Sequence, residues 1–315
     1  MDSSVSGSRA GWQRSRSTFR VRRSILRGVG LVFCGLWSGC ASLPQNTVDE
    51  ILKPSNNRNW KASMAVLPSA RMRDNRVTVY NVRNCSYIDE STYVVRHEDR
   101  EYDLRDLEAV DFILCPFSDS EALAHTMLSF GFRDGQYLAV SIEVRLEEGE
   151  SYSAVGGAIR QFEIMYVVAD ERDVVQLRTE VRNSDVYIYR CRFTPDEARA
   201  MFVDVMKRVN TLKKQPEFYD TLANNCTTNI IAHVNRIRPG AIPWQPGQLL
   251  TGYSDREAYR LGLLEDFGSF EATRQRAYVN DLAHRYVTAP RFSAWIREAP
   301  DGPRLVRKAD DSSQR

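Results

Sequence analysis

Histidine is scarce in this chain: four in 315 residues, at His97, His125, His233 and His284. Any general base of the imidazole type must come from that short set. The six cysteines include no C-x-x-C pair, which argues against a zinc site of the finger or ribbon kind. No metal and no cofactor is expected. No apolar run approaches the roughly 20 residues that a spanning helix needs. There is no internal repeat and no low-complexity break. A surplus of one charge is also missing, with 43 Lys and Arg against 41 Asp and Glu. Nucleic acid is therefore not an expected partner.

The charge that is present is unevenly placed. The first 27 residues hold seven arginines (Arg9, Arg14, Arg16, Arg20, Arg22, Arg23 and Arg27) and a single acid, Asp2. A short apolar stretch, Gly28 to Trp37, follows. A basic region, a short apolar core and small residues at its end make an export signal. The end reads Leu36-Trp37-Ser38-Gly39-Cys40 and resembles a lipobox, with Cys40 as the thiol that takes the lipid. Trp37 departs from that pattern, in which a smaller aliphatic residue stands three before the cysteine. Ala41 follows Cys40, so the aspartate that retains lipoproteins at the inner membrane is absent. Val21 to Arg27 also has the look of a twin-arginine signal. Without the leader the mature part carries 36 basic against 40 acidic residues, and the formal charge moves from +2 to −4.

The expected organisation is a lipoprotein signal peptide over 1–39, a polar tether over 40–60, one folded domain over 61–295 and a polar tail over 296–315. The first half of the domain reads as strands: Arg76–Arg83, Tyr93–Arg96, the apolar run Val110–Cys115, then Phe162–Val168 and Val186–Phe193. Between them lies a hairpin, His125–Phe132 and Gln136–Val144, joined by Arg133-Asp134-Gly135. Such a loop takes Gly in the left-handed position and pairs Phe132 with Gln136. His125 then stands opposite Glu143, with Ser141 on the same face, and Thr126, Leu128 and Phe130 share the other face with Leu138, Val140 and Ile142. The second half reads as helices. Thr194-Pro195-Asp196-Glu197 opens one as a capping box, with Pro216 ending it. Asn224 or Asn225 opens another, stopped by Pro239-Gly240. Ser254–Leu264 and Phe270–Tyr286 are further candidates. The fold class is α+β, an antiparallel sheet with helices packed on it.

Cys226 falls in the first turn of the second helix. Free N–H groups and the macrodipole stabilise an anion there, so a thiolate is favoured and an oxyanion on a bound carbonyl has donors at hand. The same position also suits an inert core cysteine. A nucleophilic cysteine needs a base. His97 lies in a charge run. His233 is seven residues along the same helix, about 10 Å away at ~1.5 Å per residue. His284 has no evident support. His125 remains, with Glu143 as the group that orients it or, alternatively, as a surface carboxylate paired with Arg145. Asn225, Thr227, Ser141 and Arg145 are the candidate substrate or oxyanion contacts. Cys85, Cys115 and Cys191 leave disulfides open.

Ala124-His125-Thr126-Met127-Leu128-Ser129-Phe130, Ser141-Ile142-Glu143-Val144-Arg145, Tyr166 to Asp173, Phe218-Tyr219-Asp220 and Asn224-Asn225-Cys226-Thr227-Thr228-Asn229, in this order, resemble the Lnb-type N-terminal periplasmic domain. The likeness runs from about Tyr80 to Leu264. Lnb proteins are lipoprotein intramolecular transacylases, and the histidine-before-cysteine order is similar to the permuted papain-like fold of NlpC-type proteins and lecithin:retinol acyltransferases. The resemblance implies Cys226 as nucleophile, His125 as base and Glu143 as orienter, in a thiol acyltransferase working through an acyl-Cys226 thioester on an acyl lipid or lipoprotein. The alternatives are a papain-like amidase or peptidase acting on cell-wall or peptide substrates, and a non-catalytic binding lipoprotein. The resembled enzymes carry membrane-spanning segments after this domain. Here the lipid on Cys40 is expected to hold the protein to the membrane instead, on the periplasmic side and at the outer membrane.

Overall fold

A three-residue loop at the centre of the sequence sets the register of the central sheet. Gly135 takes φ +83°, a conformation that costs glycine little and other residues more. The Phe132 N–H donates to the Gln136 carbonyl at 2.9 Å, and pairing runs from Gly131↔Tyr137 to Met127↔Ser141. This is the register expected from the sequence.

The computed structural model describes residues 53–117, 120–245 and 250–298. The expected leader, Cys40 and residues 41–52 and 299–315 lie outside the described residues. Ten strands occur in the order β1 Ser69–Arg73, β2 Arg76–Arg83, β3 Ser86–Tyr87, β4 Tyr93–Val94, β5 His97–Asp103, β6 Leu107–Phe117, β7 Ser120–Phe132, β8 Tyr137–Arg145, β9 Glu163–Asp170 and β10 Tyr187–Arg190. Eight form one sheet in the order β1-β2-β9-β8-β7-β6-β10, with β5 branching from β2, while β3 and β4 pair separately. The expected all-antiparallel sheet needs one correction. β2 meets β9 in parallel, at Arg83↔Ala169, so the sheet is mixed. The fold is α+β.

The helices are α1 Ala154–Ala158, α2 Glu171–Gln176, α3 Pro195–Lys214, α4 Cys226–Ile237, α5 Ser254–Arg260, α6 Phe270–Ala277, α7 Asn280–Arg285 and α8 Phe292–Glu298. Among the described residues no helix is long and apolar enough to cross a membrane. Thr194 caps α3 with Glu197 returning the bond, as its capping-box sequence predicts. The helix buries Ala198, Met201, Phe202, Val205, Val209 and Leu212, a stripe at helical spacing. Two expected helices are shorter than their patterns. The segment after Arg260 turns at Gly262 (φ +68°) and uses its next residues to bridge Cys191↔Leu264. The stretch 270–286 breaks at Tyr278-Val279, because Tyr278 bridges Tyr187 and the Val279 N–H bonds the Val186 carbonyl. Pairing with the sheet displaces helix in both places.

Helices cover both faces of the sheet. On one, α3 and α4 pack against Leu128, Phe130, Leu138, Val140 and Ile142. On the other, α2, α7 and α8 pack against Met127, Ala139, Met165 and Val167. This second face also buries charge. Arg297 of α8 donates to Asp111 at 2.9 Å and to Glu171 at 2.6 and 2.8 Å. Both carboxylates are almost fully buried. At the other end of the chain, the Ser55 N–H and Arg58 bind Glu163, and Trp60 is buried. Folded structure thus extends from Ser55 to Glu298. Removing Arg297 leaves buried Glu171 without its cation and buried Asp111 with Arg190 alone. Arg297→Met is expected to lower unfolding free energy by about 3–5 kcal/mol in urea titrations, a loss that no polar tail residue would produce.

Candidate active site

The chain approaches α4 through a tight turn. The Asp220 carboxylate accepts from the Leu222 and Ala223 N–H groups, and the Asn224 side chain donates to the Phe218 carbonyl. Asn225 is then the N-cap. Its side-chain oxygen accepts from the Thr228 N–H at 2.8 Å, and Thr228 Oγ1 accepts from the Asn225 N–H at 2.9 Å. Asn229 N–H bonds the Asn225 carbonyl. This leaves the N–H groups of Cys226 and Thr227 without intrahelical partners at the positive end of the helix. Asn225 also donates its amide to the Thr221 carbonyl. Its side chain is therefore occupied by capping.

The sheet opens where α4 begins. β7 and β8 pair only as far as Met127↔Ser141, although β7 runs back to Ser120 and β8 on to Arg145. Beyond that point β7 stays with β6, at His125↔Cys115, and β8 stays with β9, at Glu143↔Met165. The two halves of the sheet diverge, and the start of α4 fills the opening. Thr227 Oγ1 lies 3.1 Å from Thr126 Oγ1 and 3.9 Å from the Cys226 sulfur, and the Thr126 hydroxyl and backbone favour the thiolate.

Across the opening, His125, Ser141 and Glu143 form a relay. His125 Nε2 lies 2.7 Å from Ser141 Oγ and 3.3 Å from Glu143 Oε1. Ser141 donates to the same Glu143 oxygen at 2.5 Å, so its hydroxyl oxygen accepts from the imidazole N–H. Arg178 donates to that oxygen from the far side at 2.9 Å. With Nε2 engaged, Nδ1 is the nitrogen left to face the thiol, and the charges of His125 and Cys226 are coupled. Cys226, His125 and Arg178 are buried.

The electrostatics follow from this packing. Burial by itself raises the Cys226 thiol, but the hydrogen bond and charge of His125, with the Thr126 bonds, bring it down to about 7. Burial acts to lower His125, and the Glu143 charge together with bonds to Cys226 and Glu143 overcomes it, giving about 9. Burial likewise opposes ionisation of Glu143, yet the charges of His125 and Arg178 hold it well below the usual carboxylate range. The site favours a thiolate–imidazolium pair between about pH 7 and 9. The other described cysteines are free thiols, and burial pushes them up: Cys85 to about 11, Cys115 to about 12, and Cys191 further.

Not every candidate reaches the site. Arg145 is buried and turned to the N-terminal segment, donating to the Met64 and Ala65 carbonyls and to Asn56, with its guanidinium over the Trp60 ring. His233 bonds Tyr166 and Asp204, and His284 bonds Glu180. Ser141 is at the site, as a link between His125 and Glu143. Arg178 was not anticipated. It comes from a wide helical turn, Leu177–Val181, far away in sequence, and nothing in the local pattern marks it. Among the described residues no cluster of three or more His, Cys, Asp or Glu is placed to hold a metal.

An apolar cavity of about 260 Å³ starts at Thr227, the residue after Cys226. Thr227, Ile230 and Val234 of α4 form one wall, Phe112 and Leu128 of the sheet the floor, and Ala258 and Leu261 the opposite side.

Two measurements check this geometry. The rate of Cys226 alkylation by iodoacetamide is expected to climb through pH about 7, as the thiolate fraction rises. In His125→Ala burial acts without its main opposition, and the midpoint moves above about 8.5, the ordinary thiol value. Arg178→Ala removes one of the two charges that hold Glu143 ionised. The Arg178 charge also opposes the imidazolium, so the His125 resonances, followed by NMR, are then expected to titrate at higher pH than in the parent.

The model of one protein family, the Lnb N-terminal periplasmic domain, matches residues 93–251, about half of the chain and a span that contains His125, Ser141, Glu143, Arg178 and Cys226. No curated protein and no solved structure matches. The mixed sheet, the His-led hairpin and the Asn-Asn-Cys-Thr-Thr helix start all fall in or across this span, and the chain belongs to the Lnb N-terminal periplasmic domain family.

Proposed function

We propose that this protein is a periplasmic thiol acyltransferase of the Lnb type, held to the membrane by lipid on Cys40 and acting through an acyl-Cys226 thioester. The observation that carries the reading is the mainly apolar cavity lined by Thr227 in the first turn of α4, one residue from Cys226. A fatty acyl chain can lie along such a wall, with its carbonyl at Cys226. A peptide backbone needs several polar partners, and these mainly apolar walls offer few.

In this reaction the Cys226 thiolate attacks the ester carbonyl of an acyl lipid and forms a C–S bond. The oxyanion is held by N–H groups at the start of α4. As the tetrahedral adduct collapses, the ester C–O bond breaks and the departing alkoxide takes the His125 proton. An acceptor amine then attacks the thioester, giving its proton to His125, and the C–S bond breaks to restore the thiolate. Ser141 and Glu143 keep the imidazole oriented for both transfers. A histidine on a strand facing a cysteine at a later helix start supports a permuted papain-like architecture. Within this proposal residues 1–39 are the leader, the following polar segment is the tether, and the anchor sits in the outer membrane.

Incubation with a diacyl phospholipid or diacyl lipopeptide is expected to add one acyl group to Cys226, seen by mass spectrometry of the peptide. Cys226→Ala abolishes the adduct, and His125→Ala slows its formation by about 10²- to 10⁴-fold. Absence of an adduct from any acyl donor, with release of fragments from peptidoglycan, sinks the proposal in favour of an amidase.

A further inference from the structure

The cavity that starts at Thr227, next to Cys226 in the chain, extends to residues at the surface, with Gln245, Ser254, Arg256 and Glu257 in its mainly apolar lining. Leu250 and Tyr253 line it and are also 45 % and 48 % exposed. Trp244 stands next to Gln245, another lining residue, and is 79 % exposed. Leu123 lies beside them: Thr251 holds both the N–H and the carbonyl of Ala124 at 2.8 Å, and the Gly252 backbone is pressed against Glu121 and Ala122. Scattered exposed apolar side chains are ordinary, but a contiguous patch at the mouth of an apolar cavity is not. A Trp and a Tyr among aliphatic neighbours are the residues favoured where hydrocarbon meets headgroups.

The described N-terminal segment enters the fold at the same end of the sheet. Lys53 begins a segment bound to Glu163, the first residue of β9, and to Arg145, the last of β8. Arg145 is two residues beyond Glu143, about 7 Å along the strand. The segment therefore joins the fold at the end of the sheet that holds the site. Twelve residues, Ala41 to Leu52, separate Lys53 from Cys40. At ~3.5 Å per residue they span at most about 45 Å.

We infer that Leu123, Trp244, Leu250 and Tyr253 form a bilayer-docking face, which seats the cavity mouth in the interfacial layer so that a phospholipid acyl chain passes from the membrane to Cys226 without crossing water. The inference rests on the acyltransfer reading for its purpose, but the docking can be read separately. The lipidated full-length protein is reconstituted into vesicles of phosphatidylethanolamine and phosphatidylglycerol with brominated acyl chains. The Trp244 signal is taken as the difference between the parent and Trp244→Phe. Docking predicts that this signal is quenched by the brominated chains. It also predicts that Leu123→Glu with Trp244→Glu lowers Cys226 acylation from vesicle lipid about tenfold, while acylation from a water-soluble short-chain nitrophenyl ester is unchanged. An unquenched Trp244 overturns the inference, as does concentration-dependent self-association that shields Trp244 without vesicles. Quenching with no acylation by either donor supports docking and removes acyl transfer. Acylation from vesicles without quenching does the reverse.

Discussion

The site depends on the place where β7 and β8 cease to pair. Up to Met127↔Ser141 the two strands exchange backbone hydrogen bonds, and beyond it they follow different neighbours. A continuous ladder would use the Thr126 backbone within the sheet and leave no room for a helix end. The divergence leaves that backbone beside the start of α4, where it favours the Cys226 thiolate, and lets side chains of β7 and β8 face each other across the opening. The Asn225 capping box is the other half of the arrangement, since it fixes where α4 begins and so where the sulfur stands.

The charges form one coupled set. Arg178 and His125 approach the same oxygen of Glu143 from different elements, and Ser141 bonds it as well. Desolvation opposes every ionised group in such a place. Each is kept charged by the next, from Arg178 through Glu143 and His125 to the thiolate. The three other described cysteines show the contrast. Cys115 is paired across β6 and β7 with His125 itself, yet burial keeps its thiol protonated, because no donor is aimed at its sulfur strongly enough to offset desolvation. Position relative to a helix start and an imidazole decides reactivity, and proximity alone does not.

The chemistry and the surroundings agree in kind. The charged dyad stands next in the chain to Thr227, which lines a mainly apolar cavity with the part-exposed Leu250 and Tyr253, and the described N-terminal segment joins the fold at the same end of the sheet. Arg145, one of the candidate substrate contacts, holds that segment in place two residues from Glu143. It ties the approach segment to the strand that carries the orienting carboxylate.

Period and punctuation in the sequence determined much of this. The two-residue repeat of the hairpin and the Gly135 loop were enough for its register, because a slip of one residue would reverse every side chain. The Thr194 capping box and the Asn224-Asn225 pair marked two helix starts, because such side chains bond the backbone only a few residues away. Cys226, His125, Ser141 and Glu143 were therefore legible as a set. What local pattern does not contain, only the tertiary structure decided. The parallel meeting of β2 with β9, the break at Tyr278 and the contribution of Arg178 each depend on segments distant in sequence. So does the orientation of Arg145, whose alternation along β8 matched that of Glu143 but whose partners lie some 80 residues earlier. The sequence by itself determined which groups are chemically able to react, through short-range hydrogen bonding and periodicity. The tertiary structure decided which of them meet, because the opening in the sheet and the charges buried around it come from long-range packing.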